Sequence, residues 1–161
     1  MPGSGKSSWG KQLAKRVNYA FIDLDDLIEQ EEKQSIISIF QTQGEAFFRE
    51  LEHKYLLRTT TLIKTIVSCG GGTASHYNNM ELMNKHGKTI YLNASKGLLA
   101  DRIFNAKKPR PMFKDLSKEE IEKKIDLLLS ERESFFKLAQ YTFSVPQESL
   151  QSFVNKASWL I

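Results

Sequence analysis

A glycine-rich turn that opens a helix with lysine and then two hydroxyls constrains this chain more than any other stretch. It occupies the first eight residues, Met1-Pro2-Gly3-Ser4-Gly5-Lys6-Ser7-Ser8. Small residues at such a turn let successive backbone N–H groups curl around a polyphosphate, and a following lysine and hydroxyl serve the outer phosphates and Mg²⁺. In the full pattern G-x-x-x-x-G-K-[ST], Gly5-Lys6-Ser7 supplies the second glycine, the lysine and the hydroxyl. The first glycine would fall one residue ahead of Met1, and so would the strand that leads into the loop. A flexible Gly-Ser tail is the bland reading. It is disfavoured because an amphipathic helix follows at once, with Trp9, Leu13, Ala14 and Val17 on one face and Lys11, Lys15 and Arg16 on the other. That helix would aim its N-terminal dipole and free N–H groups at the same anion.

A chain of 161 residues with 40% apolar and 26% charged residues suits one globular domain spanning 1–161. The net charge of +4 suits an anionic ligand, but the basic residues are spread out, which disfavours nucleic acid as a partner. Cys69 is the single cysteine, so no intramolecular disulfide can form, and a reducing cytoplasm is the expected location. No apolar run approaches the roughly 20 residues of a membrane span, and none reads as a signal peptide.

After the first helix, Lys6 to Val17, Ala20-Phe21-Ile22-Asp23 reads as a short strand ending in an acid. Asp23, Asp25 and Asp26 follow closely. One acid can hold Mg²⁺ through water while another accepts a substrate hydroxyl, and Asp25 or Asp26 can cap the next helix. Ser35 begins a short helix ended by Gly44, and a longer one runs from Glu45 to about Leu62. Arg49 and Glu52 lie three apart on it; spacing alone suggests a surface ion pair. Thr65 to Cys69 is a β-branched strand ending in Gly70-Gly71-Gly72, where a ligand can lie against bare backbone. His76 and Tyr77 start a helix ending near Gly87, and His76 reads as a surface or capping residue. His53 and His86 show no metal spacing.

Thr89 to Asn93 is the next strand, and Ser95 caps a helix to about Phe104. Asn105 to Phe113 carries Lys107, Lys108, Arg110 and two prolines, the make-up of a mobile lid over about 106–116 that no apolar periodicity anchors. A helix from Leu116 to about Ala139 opens with the capping box Ser117-Lys118-Glu119-Glu120 and carries Arg132. Tyr141 to Val145 is the last strand, and Pro146 opens a terminal helix through Leu150, Phe153, Val154 and Trp159.

Taken in order, Pro2-Gly3-Ser4-Gly5-Lys6-Ser7, Phe21-Ile22-Asp23-Leu24-Asp25, Gly44-Glu45 with Phe48-Arg49 and Glu52, Gly70-Gly71-Gly72, Arg110-Pro111 and Arg132 resemble the shikimate kinase family over essentially the whole chain. The resemblance implies an α/β fold, the P-loop kinase three-layer α/β/α arrangement. Its parallel sheet has five strands in the family, of which four are visible in this sequence and the first, mid-sheet strand is missing. It implies ATP-dependent phosphorylation of the 3-hydroxyl of shikimate on the route to chorismate, by a monomer, with shikimate and ATP as partners and Mg²⁺ as cofactor.

The residue roles that the resemblance implies fall into three groups. Gly3, Ser4, Gly5, Lys6, Ser7 and Ser8 would form the phosphate loop, with Ser7 and Asp23 on the metal. Arg110 would be the lid arginine, Arg102 would stack near adenine, and Gln147 would lie in the adenine loop. Asp25, Arg49, Gly71, Gly72 and Arg132 would hold shikimate, on helices within about 25–62 and on Arg132's own helix. Glu52 would orient Arg49, and Lys6, Asp25 and Arg110 would carry the catalysis. Phe136 stands where many members have tyrosine, Ser134 where proline is common, and Ser8 where threonine is frequent. The alternatives are a kinase of another small hydroxy acid such as gluconate, and a truncated relative that binds without catalysing.

Overall fold

The computed structural model describes residues 1–106, 111–145 and 149–159. Strand β1 (Ala20–Asp23) pairs parallel with β2 (Thr65–Ser68), and β3 (Ile90–Ala94) pairs parallel with β4 (Tyr141–Val145). Parallel neighbours need long crossovers. Helices α2 (Leu24–Glu32) and α3 (Ile36–Thr59) supply the first, and α5 (Lys96–Phe104) and α6 (Lys118–Phe136) the second. Helix α1 (Lys6–Val17) packs on β1, β2 and α7 (Leu150–Ala157), while α4 (Asn79–His86) links the two halves. The α/β class with parallel strands stands as expected, with most residues helical.

Among the described residues the sheet is not continuous: β2 pairs only with β1, and β3 only with β4. Between the two pairs lies a cavity of about 490 Å³, lined by Ile66 and Val67 of β2, Tyr91 and Leu92 of β3, Met1 and Leu13. One apolar core gathers α1, β3, β4, α5, α6 and α7 around Leu13, Leu99, Ile125 and Val145. A second joins α2 to α3 through Leu24, Ile28, Ile39, Phe48 and Leu51.

Local chemistry sets most element ends. Gly5 begins α1 with φ 92°, and Ser117 with Glu120 closes the expected capping box on α6. Gly44, at φ 82° and ψ 175°, breaks α3 where the sequence placed a boundary. Other ends move. Helix α4 begins at Asn79, because Tyr77 and Asn78 stand at φ 50° and 55° and cannot belong to a right-handed helix. Asp23, not Asp25 or Asp26, caps α2 by accepting the N–H of Asp25.

The expected lid and adenine-loop residues Arg110 and Gln147 lie outside the described residues, as does the helix start assigned to Pro146. Beyond that gap Pro111–Phe113 form a short 3₁₀ turn, and Phe113 is 5% exposed within the larger core. The expectation of a segment with no apolar anchor is therefore corrected at its C-terminal end. None of the helices described is long and apolar enough to cross a membrane.

Candidate active site

The loop ahead of α1 is shaped from both sides. Gly3 and Gly5 adopt φ 78° and 92°, conformations that side chains other than glycine's rarely tolerate. Buried Ser4 folds its hydroxyl onto the Met1 carbonyl at 2.9 Å. From α5, Arg102 donates Nη1 to the carbonyls of Gly3 and Ser4, each at 3.2 Å. Arg102, which family resemblance places near adenine, also braces the loop itself.

Lys6, Ser7 and Ser8 occupy the first turn of α1. Ser7 Oγ donates to Asp23 Oδ2 at 2.5 Å and lies 3.3 Å from Ser68 Oγ. The register of β1 and β2 sets Asp23 opposite Ser68, so two strand ends deliver these oxygens to one place. Ser68 is a site residue that the sequence reading missed. Its signal was positional: it closes β2 level with the acid that closes β1.

The other half of the site is built on α3, α6 and the Gly70-Gly71-Gly72 turn. Arg49 and Glu52 are 8% and 1% exposed, so their pairing is buried rather than the surface contact that spacing alone suggests. Arg49 Nη1 donates to Glu52 Oε2, while Nε and Nη2 reach Glu45 Oε1 at 3.1 and 2.7 Å. Burial works against the Arg49 charge, yet Glu52 and Glu45 outweigh it and raise its pKa. The hydrogen bonds from Arg49 likewise hold Glu45 below the usual carboxylate value.

Arg132 reaches the same region from α6 and is 9% exposed. Burial, then the neighbouring Arg49 charge, lowers its pKa. No ion pair to Arg132 occurs among the described residues. Two buried guanidinium groups therefore stand together, one shared between two carboxylates and the other without one. A planar anion with two acceptor oxygens suits that arrangement.

The three glycines make room for the protein's own side chains. A Cβ on Gly70 would lie 2.5 Å from Glu52 Oε1 and 3.0 Å from Asp25 Oδ1, and one on Gly72 would lie 2.6 Å from the Arg49 guanidinium carbon. On Gly71 it would meet Pro2 Cδ at 3.1 Å, which ties this turn to the phosphate loop. His76 donates Nδ1 to the Gly72 carbonyl at 2.9 Å, so it holds the turn rather than standing free on the surface.

The comparisons with known proteins agree with this geometry. The family description "Shikimate kinase" matches residues 2–158. The chain belongs to the shikimate kinase family. It is similar to a shikimate kinase of Azobacteroides pseudotrichonymphae, 40% identical over 154 residues, covering 95% of this chain and 91% of the relative. One from Chlorobium chlorochromatii is 40% identical over 159 residues, covering 96% and 83%. Among solved structures, the shikimate kinase of Bacteroides thetaiotaomicron superposes with a TM-score of 0.92 at 35% identity, covering 98% of this chain and 92% of that one. A shikimate kinase from Acinetobacter baumannii, solved in complex with shikimate, gives 0.88 at 29% identity and covers 99% and 88%.

Cys69, directly after β2, feels charges from both parts of this region. The Cys69 thiol is pushed up to about 12, first by burial, with Glu52, Asp25 and Asp23 adding to the rise and Lys6 opposing it. Phosphate-loop lysine, strand-end acid, helix acid and clamp glutamate thus all act on one atom at the end of β2. Ser7 and Asp23 are hard oxygen donors and fit Mg²⁺, which keeps several waters and takes the rest of its shell from phosphates. No cluster of three or more His, Cys, Asp or Glu side chains competes for a metal among the described residues.

Proposed function

We propose that this chain transfers the γ-phosphoryl group of ATP to the 3-hydroxyl of shikimate, the step that feeds chorismate and aromatic amino acid synthesis. The observation that carries this reading is Arg132, buried beside Arg49 and without a carboxylate of its own among the described residues. A single-ring acid whose carboxylate enters between the two guanidinium groups gives Arg132 the direct ion pair it lacks among the described residues. Its ring hydroxyls then extend towards Gly71, Gly72 and Asp25.

In this reading Asp25 accepts the proton of the attacking hydroxyl, and Lys6 neutralises charge on the outer phosphate oxygens. Preorganised charges of this kind supply most of the catalysis of phosphoryl transfer. Gly3 to Ser8 offer backbone N–H groups to the polyphosphate. Ser7 and Asp23 would hold Mg²⁺, which when bound offsets negative charge on the phosphates. Arg110, on a lid over about 106–116, is assigned from sequence to reach the same phosphates, and Arg102 and Gln147 to lie towards adenine. Helices within about 25–62 form the acceptor side of a single domain. A monomer is the working unit in this reading.

The test is ³¹P NMR of the protein with ATP, Mg²⁺ and shikimate. A new phosphomonoester signal that depends on all three is the expected result. A shikimate analogue with the carboxylate replaced by a neutral group should give little product; equal turnover of the analogue overturns the clamp.

A further inference from the structure

Beyond the Arg49–Glu52 pair lies a buried chain of polar side chains to which no role has been given. Glu52 spends one oxygen on Arg49; its other, Oε1, accepts the Thr73 hydroxyl at 2.5 Å. Thr73 is 0% exposed and opens the 3₁₀ turn directly after Gly72. Its own backbone is held at both ends. The N–H donates to the Gly70 carbonyl at 3.4 Å, and the Thr73 carbonyl accepts Asn79 Nδ2 at 2.9 Å. Asn79 is also fully buried, and its remaining oxygen lies 2.6 Å from His53 Nδ1. Because that amide already donates to Thr73, its oxygen can only accept, so His53 carries the proton on Nδ1.

This chain fixes a direction. Glu52 Oε1 is confined, since a Cβ on Gly70 would lie 2.5 Å from it and 3.1 Å from Thr73 Oγ1. A carboxylate with one oxygen so placed has one orientation in which both oxygens are satisfied. That orientation sets where Oε2 holds the Arg49 fork. Without the hydroxyl, Oε1 would be a buried, unpaired anionic acceptor, and the carboxylate would turn to share Arg49 differently.

We propose that Thr73 is a positioning residue for the acceptor substrate: its hydroxyl orients Glu52, and through Glu52 aims the Arg49 guanidinium at the substrate carboxylate. The inference rests on the carboxylate clamp of the proposed function. It makes Thr73, with Asn79 behind it, part of binding although neither touches the ligand.

The experiment compares Thr73→Val, which keeps the shape and loses the donor, with Thr73→Ser, which keeps the donor. Shikimate binding is measured by calorimetry without nucleotide, and steady-state kinetics give both KM values. A lost hydrogen bond to a charged group corresponds to roughly tenfold or more in affinity. Thr73→Val should therefore weaken shikimate binding and raise its KM by about that factor, while the KM for ATP moves less than about threefold. Thr73→Ser should restore wild-type binding to within about threefold. In an Arg49→Ala background, Thr73→Val should cost nothing further, since the group it aims is gone. Thr73→Ala removes the same donor and serves if the valine variant does not fold. Wild-type protein that fails to bind shikimate overturns the clamp and this inference together. Wild-type binding with an unaffected Thr73→Val or Thr73→Ala, or an equal loss in the Arg49→Ala background, overturns the inference alone.

Discussion

Arg49 lies directly against Gly72: a Cβ at that glycine would fall 2.6 Å from the guanidinium carbon and 2.6 and 2.7 Å from its two terminal nitrogens. The glycine is at φ −105°, so backbone strain does not demand it. Space does. Gly72→Ala must push the guanidinium aside, and Arg49 is held by Glu45 and Glu52. The displaced group is the end of a long side chain, so aim is lost more than stability. Shikimate affinity is expected to fall at least tenfold, with a stability loss at the lower end of the ~1–3 kcal/mol of overpacked sites. Gly71→Ala should be milder, because Pro2 Cδ, at 3.1 Å, needs to give only a little. Calorimetry and thermal denaturation of both variants check the ranking.

The two arginines should separate binding from stability. Arg132→Ala removes a buried cation whose charge burial and Arg49 both disfavour. It should cost about 2–5 kcal/mol of shikimate binding while leaving Tm unchanged or raised. Arg49→Ala should cost binding too, but it also strands Glu52, at 1% exposure, without its cation. Breaking a buried pair in that way destabilises by about 3–5 kcal/mol. Denaturant unfolding in the absence of ligand should therefore distinguish the variants that calorimetry makes look alike.

Much of this was legible in the chain, because local rules and local residues coincide. Gly5-Lys6-Ser7, the Ser117–Glu120 box and the break at Gly44 are each decided within a few residues. Family resemblance placed Arg49 and Glu52 in the site, but spacing did not show their burial, since i,i+3 spacing reads the same whether a helix faces water or another helix; only packing against the turn after β2 buries them. Ser68, Thr73 and Asn79 carry no motif of their own. Their contacts with Ser7, His53 and Glu52 join positions 21 to 61 residues apart, through strand register and tertiary folding. The start of α4 was misplaced because Tyr77 stands at positive φ, which nothing in its type announces, beside Asn78, whose type often adopts it.

Cys69 offers a pH test. Burial, with the fields of Glu52, Asp25 and Asp23, raises its thiol to about 12. A raised folded value favours the neutral thiol, so stability is intact below the unfolded pKa of about 8.5 and is lost as pH climbs towards 12. Alkylation by iodoacetamide at pH 8 should be far slower in the folded protein than in urea-unfolded protein, since thiolate is the nucleophile. Cys69→Ala should remove the whole of the labelling. Labelling of the folded protein at pH 8 as fast as in urea would show an ionised thiol and contradict the raised value.

Arg102 tests the brace on the phosphate loop. Its Nη1 bridges the Gly3 and Ser4 carbonyls from 99 and 98 residues away, and the side chain is otherwise on the surface. Solvent-facing hydrogen bonds are each worth about 0.5–1.5 kcal/mol net, so the consequence should be moderate and confined to the nucleotide half. Arg102→Ala is expected to raise the KM for ATP by roughly fivefold, and by about 150-fold at most, as the two bonds together imply. Shikimate binding without nucleotide should be unchanged, because Arg49, Glu52 and Arg132 are held by other elements. Lys6→Ala, the companion variant, should abolish turnover with the same untouched shikimate affinity. Arg102→Lys tests the geometry: an ammonium keeps the charge but must reach both carbonyls from a more flexible stem, so it should recover only part of the loss. If Arg102→Ala left the KM for ATP unchanged, or weakened shikimate as much as ATP, the loop would owe its shape to Gly3, Gly5 and Ser4 alone.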